Sequence, residues 1–313
     1  MLKSNQMKRK IIVIGSINQD LVVKMEKIPE PGETLFGETL HYFPGGKGAN
    51  QAIAAKLLGG DVTFYGKVGR DLFGANLTEY LSNLNLGTYV QTVTSSSTGT
   101  AIITIDKNGE NAISVISGAN MTFKYEDLDI FETFQKDDIL LMQNEINNEI
   151  VFDSIVKAKA KDMLVIYNPA PAISIPERII SLCDFIIVNE HELEISFNLK
   201  ALDFNNKEEL VQILLNITTK YDIGIVLTLG SKGCVGIKSG KIFETTGKKV
   251  NVIDTTGAGD CFCGAFVSAI SQGNSLSDSL EFANFAASLS VSKLGASVSF
   301  PKLNEMHAFR DSI

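Results

Sequence analysis

At 313 residues, with 44% hydrophobic and 20% charged side chains, the chain is long enough to bury a large core and lacks the bias of a disordered or fibrous protein. Its 28 basic and 36 acidic residues leave a formal charge of −8, so its summed field repels nucleic acid and anionic membranes while leaving room for a small nucleotide held by local amides. The 4 cysteines (Cys183, Cys234, Cys261, Cys263) lack paired spacing and the C-x-C of the last two has no second cluster, which argues against a disulfide framework or a zinc site.

The basic opening Lys8-Arg9-Lys10 leads into an apolar run of only residues 11 to 14. That run is too short for a membrane span or a secretory leader, so it predicts a first strand and a cytoplasmic chain. Near-continuous apolar runs recur at residues 62 to 66, 138 to 142, 163 to 167, 184 to 188 and 223 to 229. Amphipathic stretches lie between them, at residues 48 to 58, 74 to 84, 147 to 161 and 206 to 219. The alternation predicts an α/β fold with a mostly parallel sheet covered by helices on both faces.

The rhythm breaks at residues 17 to 45 and 96 to 118, where Thr100 to Ile105 and Ala112 to Ile116 read as strands joined by Asp106-Lys107-Asn108-Gly109. With hairpin chemistry at Asn108-Gly109 and no helix between, these segments are expected to form a separate small sheet, a lid over the main one. The exposed edges of such a lid offer a route to a homodimer. Without an internal repeat or a Pro-rich linker, residues 1–313 read as a single α/β domain. After Asp254, residues 258 to 272 and 276 to 294 are rich in Ala, Ser and Phe and predict closely packed helices.

The most informative segment is Asp254-Thr255-Thr256-Gly257-Ala258-Gly259-Asp260, set between a strand-like Val250 to Ile253 and a helical continuation. Unpaired N–H groups at a helix start carry the positive end of the helix dipole, so Gly257, Ala258 and Gly259 predict an anion cradle. Asp260, in the first helical turn, is placed to accept the proton of a hydroxyl attacking phosphorus. Alone, the same letters also describe a left-handed turn followed by a first-turn acid.

Gly45-Gly46-Lys47-Gly48-Ala49-Asn50-Gln51 likewise opens a helix, with Lys47 and Asn50 suited to a polyol. Gly15-Ser16-Ile17-Asn18-Gln19-Asp20 leaves the end of the first strand, where open α/β sheets bind ligands, and Asn18 and Asp20 suit vicinal hydroxyls. Each alone is also compatible with a capped helix or a solvated loop. The chain lacks a Walker A loop, a G-x-G-x-x-G after the first strand and a G-x-S-x-G elbow.

Together these motifs, with Pro31-Gly32-Glu33-Thr34, resemble the ribokinase (PfkB) family of carbohydrate kinases over nearly the entire chain. The resemblance implies a three-layer α-β-α fold with a small β-sheet lid. It implies ATP-dependent phosphorylation of D-ribose on its 5-hydroxyl, with deoxyribose, fructose or a nucleoside such as adenosine left open, and a silent sugar-sensing module as the rival. Asp260 becomes the general base and the amides of Gly257 to Asp260 the anion hole; Asn18, Asp20, Gly46, Lys47, Asn50 and Glu145 contact the sugar. Asn189 and Glu192, from an N-x-x-E element, organise phosphate and magnesium, partly through water. Thr228, Leu229, Gly230, Ser231, Lys232, Gly233 and Asn284 take the adenine nucleotide, and Asp254, Thr256, Ser290, Lys293, Gly295 and Ser299 surround a monovalent cation, potassium. Cys261 and Cys263 stand where the family usually has Thr and Asn, a departure expected to touch helix packing more than chemistry.

Overall fold

In the first strand, β1 (Lys10–Ile14), every residue after Lys10 is buried, so this short apolar run has no solvent face to offer. Alternate side chains enter two separate cores: Ile11 and Val13 one, Ile12 and Ile14 the other. The computed structural model describes residues 9–310. Beyond β1 the chain runs through β2 (Asn18–Lys24), β3 (Thr39–Gly45), α1 (Lys47–Leu57), β4 (Asp61–Gly69), α2 (Leu72–Asn83) and β5 (Gly87–Val93). β6 (Gly99–Ile105) and β7 (Asn111–Ile116) follow, then β8 (Ile139–Met142), α3 (Asn148–Ala160), β9 (Leu164–Tyr167), α4 (Glu177–Ile180) and β10 (Phe185–Asn189). The last part comprises α5 (Glu190–Ser196), α6 (Lys207–Tyr221), β11 (Gly224–Thr228), β12 (Gly233–Lys238), β13 (Lys241–Thr246), α7 (Ala258–Ser271), α8 (Leu276–Ser290) and α9 (Leu303–Arg310).

Nine strands form one sheet in the order β13-β12-β11-β10-β9-β8-β1-β4-β5, parallel from β11 to β5 and closed by the antiparallel pair β12 and β13. One face packs on α1, α7 and α8 through Ala52, Ile53, Phe262, Phe266 and Ala283, the other on α3 and α6 through Val151, Ile155, Leu210 and Leu214. Full burial of a side chain such as Phe266 is worth about 1.5–3 kcal/mol. A second sheet of four strands, order β3-β2-β6-β7, is built from the two segments that broke the rhythm. In its hairpin, Asp106 Oδ1 accepts from the amides of Asn108 (2.8 Å) and Glu110 (2.9 Å), and Gly109 takes a φ of 85°.

Two local expectations fail. Val250 to Ile253 is not a strand: Val252 and Ile253 are each 58% exposed and pair with no sheet. Helix α8 stops at Ser290, short of residue 294: the following amides turn to carbonyls three residues back, Ser292 to Leu289 (3.2 Å) and Lys293 to Ser290 (3.4 Å), and the Val291 carbonyl instead accepts from the amides of Ile253 (2.8 Å) and Asp254 (3.2 Å).

Helices α1 and α7 touch at a glycine. A Cβ on Gly264 would lie 2.5 Å from the Gln51 carbonyl oxygen and 2.6 Å from Ala54 Cβ. The small residues expected to pack closely in this region do so here, and the contact sets residues 50 and 51 against the first turn of α7.

Candidate active site

In the large sheet the chain order reverses at β1, with β4 and β5 on one side and β8 to β11 on the other. The crevice outside the carboxyl ends of strands at such a switch point is where open α/β sheets take ligands. Here Gly15 and Ser16 follow β1, Gln143 and Glu145 follow β8, Asn168 follows β9, while Asn189 ends β10 and Thr228 ends β11. The start of α1 fits against β1 because Gly48 has no side chain: a Cβ there would lie 2.5 Å from the Ser16 nitrogen.

Five helices, α2, α3, α5, α6 and α8, begin on a residue whose side chain accepts a first-turn amide: Asp71, Asn147, Asn189, Asn206 and Ser275. α1 and α7 begin instead on Gly46 and Gly257, which offer no side-chain cap. Gly257 has a φ of 76° and a Cβ there would meet Ala296 Cβ at 2.9 Å, so glycine is required on two counts. A Cβ at Gly259 would meet nothing within 4 Å, so this turn faces open volume; the Ala258 amide donates to the Thr255 carbonyl (3.2 Å), and no side chain caps the helix. A cavity of about 220 Å³ lies there, lined by Lys47, Asn168, Asn189, Glu192, Thr228, Thr255 and Gly257 to Asp260, among others.

Asp260 is 6% exposed and both its carboxylate oxygens are held: Oδ2 accepts from Asn50 Nδ2 (3.0 Å) and Oδ1 from Gln51 Nε2 (2.9 Å). The two ends of the motif pair, more than two hundred residues apart in sequence, thus meet through one carboxylate. Beside it, Glu145 Oε2 accepts from Ser16 Oγ (2.7 Å) and from the Lys47 amide (2.9 Å). The charge of Asp260, with those of Glu145 and Glu192, raises the Lys47 ammonium above its ordinary range against the opposing effect of burial. Asp20 is pushed up to about 7 by burial first, then by the charges of Glu145 and Asp260, with Lys47 opposing. Asn18 lies at the head of β2, where Asn120 Nδ2 donates to its Oδ1 (2.7 Å), leaving the Asn18 amide donors for a ligand.

The remaining expected residues fall into three groups. Asn189 and Glu192 form a capping box, Asn189 Oδ1 accepting from the Glu192 amide (2.8 Å) and Glu192 Oε2 from the Asn189 amide (2.9 Å). Burial raises the Glu192 carboxyl above its usual range. Leu229, Gly230, Ser231, Lys232 and Gly233 lie past the end of β11, outside the cavity lining, and Asn284 Nδ2 reaches the Thr246 carbonyl (2.9 Å) at the adjoining end of β13. Asp254 joins two loops, accepting from the amides of Thr256 (2.9 Å) and Gly295 (2.8 Å). Burial works against its charge, yet these bonds hold the carboxyl below its ordinary value. Ser290 and Ser299 hydrogen-bond locally to the carbonyls of Ala287 and Ala296, and Lys293 is ion-paired with Glu305 at 2.9 Å.

Of the two cysteines, Cys261 is fully buried in the core, whereas Cys263 lines the cavity, so that departure from the family pattern reaches the site. Single polar residues at strand ends, Gln143 and Asn168, and the buried Asn120 escaped the sequence reading, and Ser16, inside the Gly15 to Asp20 motif, was given no role. Their one signal was position, immediately after an apolar run or within a Gly-Ala-Asn turn.

A switch-point crevice with a glycine-started helix above a buried carboxylate, and polar side chains gathered beside it, fits a small-molecule phosphotransferase. The chain belongs to the pfkB family of carbohydrate kinases, whose model matches residues 8–303. The ribokinase of Staphylococcus aureus (strain COL) is 35% identical over 305 residues, covering 96% of this chain and 99% of that protein. The crystal structure of ribokinase from Thermotoga maritima superposes with a TM-score of 0.85 at 34% identity, covering 97% of this chain and 99% of that one. Ribokinase from Arabidopsis thaliana complexed with ribose and ATP also gives 0.85, at 31% identity, over 96% and 98% of the two chains.

Proposed function

We propose that this chain transfers the terminal phosphoryl group of ATP to the primary 5-hydroxyl of D-ribose, giving ribose 5-phosphate and ADP. The observation that carries this reading is the Asp260 carboxylate, held between Asn50 and Gln51 at the uncapped start of α7. Likeness across almost the full chain to a ribokinase solved with ribose and ATP supports the choice of sugar and nucleotide.

Phosphoryl transfer passes through a loose transition state, so alignment and charge neutralisation count for more than base strength. Asn18, Asp20, Lys47, Asn50, Glu145 and the backbone at Gly46 hold the sugar hydroxyls. Asp260 aims the 5-hydroxyl and takes its proton as the new O–P bond forms and the bond from phosphorus to the departing ADP oxygen breaks. The amides from Gly257 to Asp260 stabilise the charge on the transferred group. The loop Thr228 to Gly233, with Asn284, takes the adenine nucleotide. Asn189 and Glu192 would hold magnesium partly through water, a set with few protein ligands that suits an ion shared with phosphates, and the ion would neutralise phosphate charge. The loops that Asp254 ties together would hold potassium near Asp254, Thr256, Ser290, Lys293, Gly295 and Ser299, several of them through main-chain oxygens, where it would stiffen the start of α7.

The smaller sheet serves as a lid that excludes water from the transfer, within a single domain spanning residues 1–313. Its strands carry exposed Leu40, Tyr42, Ile102, Ile113 and Val115, apolar area that fits a homodimer formed through the lids. Among the described residues no helix is long and apolar enough to cross a membrane. All four cysteines are free and buried, in keeping with a reducing cytoplasm.

A coupled ADP-release assay across ribose, deoxyribose, fructose and adenosine tests the substrate, with ribose expected to give the highest kcat/KM. Tight ribose binding without turnover would turn the assignment toward a sugar sensor. Asp260→Asn is expected to lower kcat by about 10²–10⁴ with binding of both substrates retained, and near-normal turnover would remove Asp260 from its role.

A further inference from the structure

Gln51 follows Asn50 in the motif that opens α1, but at 0% exposure it has no surface to offer a substrate. Its side chain is fully buried and every polar atom of it is used. Nε2 donates both to Asp260 Oδ1 (2.9 Å) and to Asn168 Oδ1 (2.9 Å), while Oε1 accepts from Gln143 Nε2 (2.8 Å). Asn168 is fixed in turn, because its Nδ2 donates to the Ile187 carbonyl (2.9 Å) within β10.

The direction of this chain of amides is set from one end. The Ile187 carbonyl can only accept, so it turns Asn168 to present its own oxygen to Gln51. That oxygen, with the donor from Gln143, forces Gln51 to present its NH₂ toward Asp260. A flipped Gln51 would set oxygen against oxygen at both Asn168 and Asp260. We propose that Gln51 is a positioning residue that fixes the plane of the Asp260 carboxylate, so that the sheet backbone at β10 aims the general base through Asn168 and Gln51. Asn50 holds Oδ2 of the carboxylate and Gln51 holds Oδ1. The inference rests on Asp260 acting as the base in the reading above.

Gln51→Met keeps the length of the side chain and removes its donors and acceptor. Measured on the full chain with ATP and ribose, it should lower kcat about 10–100-fold, the order expected for misaligned reacting groups, with KM for either substrate changed less than about threefold. The decisive readout is a double-mutant cycle by single-turnover kinetics. In the Asp260→Asn background, Gln51→Met should change the rate less than about twofold, because no carboxylate remains to be aimed. A purely structural role would give the same fold-loss in both backgrounds, and that result, or an unchanged kcat in Gln51→Met alone, overturns the proposal. Gln143→Met leaves the Gln51 donors but strips its Oε1 of the donor it accepts from, so the amide is held less firmly; it should show the same pattern at smaller amplitude and carries the cycle alone should Gln51→Met fail to fold. If Asp260→Asn itself turns over near-normally, the kinase base is misassigned; if only Gln51→Met is silent, the base stands and this inference fails.

Discussion

The contact between α1 and α7 allows a test of how backbone spacing reaches the chemistry. A Cβ placed on Gly264 would lie 2.5 Å from the Gln51 carbonyl oxygen, 2.6 Å from Ala54 Cβ and 2.8 Å from the Ala55 nitrogen, two of the three being backbone atoms that cannot rotate away. Restoring ordinary van der Waals separation requires the helices to part by roughly 1 Å. Overpacking of this kind costs about 1–3 kcal/mol, and replacing a helical glycine by alanine returns about 1 kcal/mol, so Gly264→Ala should lose no more than about 2 kcal/mol and still fold. The hydrogen bonds from Asn50 and Gln51 to Asp260, at 3.0 and 2.9 Å, have no such slack, since an added ångström breaks them. Misplacement by about 1 Å can cost up to about 10²-fold in rate, so kcat should fall tenfold to a hundredfold while thermal unfolding shows a single, slightly lowered transition. ADP-release kinetics at saturating substrates, normalised to folded protein by calorimetry, measure both. Wild-type kcat alongside a lowered Tm would show that helix spacing does not govern the carboxylate, and the reasoning would fall.

Gly259→Ala is the converse case: the added methyl meets no protein atom, so Tm should hold or rise, while the methyl intrudes on the first-turn amides and raises KM for ATP. Unaltered ATP kinetics would mean that phosphate does not approach that turn. Because the folded Asp20 carboxyl titrates near 7, above its ordinary 3.8, the folded state keeps a proton that the unfolded chain gives up, and stability falls as pH rises through that window. Asp20→Asn removes the penalty, so its Tm advantage over the parent should grow between about pH 5 and pH 8; a constant difference across calorimetric scans contradicts the shift. Asn120→Leu strips the clamp from the Ile17 backbone and from Asn18, a loss of about 1–3 kcal/mol in buried hydrogen bonding. KM for ribose should rise at least tenfold with KM for ATP unchanged, and an equal rise in both would point to general loosening instead.

The parallel strands were legible because burial on both faces leaves no polar position to interrupt the run, as in Ile11 to Ile14 and Gly224 to Leu227. The hairpin was legible from Asp106 to Gly109, whose side chains make its turn locally. β13 was not, since its residues are exposed or half-buried and its ladder to β12 is a long-range choice; Val250 to Ile253 misled because apolar letters at an exposed loop look like a strand. At the site, contiguous motifs betrayed Asp260, Lys47 and Asn50. Gln143 and Asn168 are lone amides in separate segments, and only the strand order brings them beside Gln51.

The division of the helices into capped and bare starts limits where heat resistance can be engineered. A new Ser or Asp cap commonly adds about 0.5–2 kcal/mol. At positions 46 and 257, however, φ values of 89° and 76° and atoms of neighbouring residues within 3.0 Å bar any side chain. At α1 the first amides are already taken, that of Lys47 by Glu145 (2.9 Å) and that of Gly48 by Ser16 (3.2 Å); at α7 a cap, even if accommodated, would set its own oxygen where the proposed reaction needs the phosphate. Thermostable variants must therefore be sought at other helix ends, with the openings of α1 and α7 left as glycine.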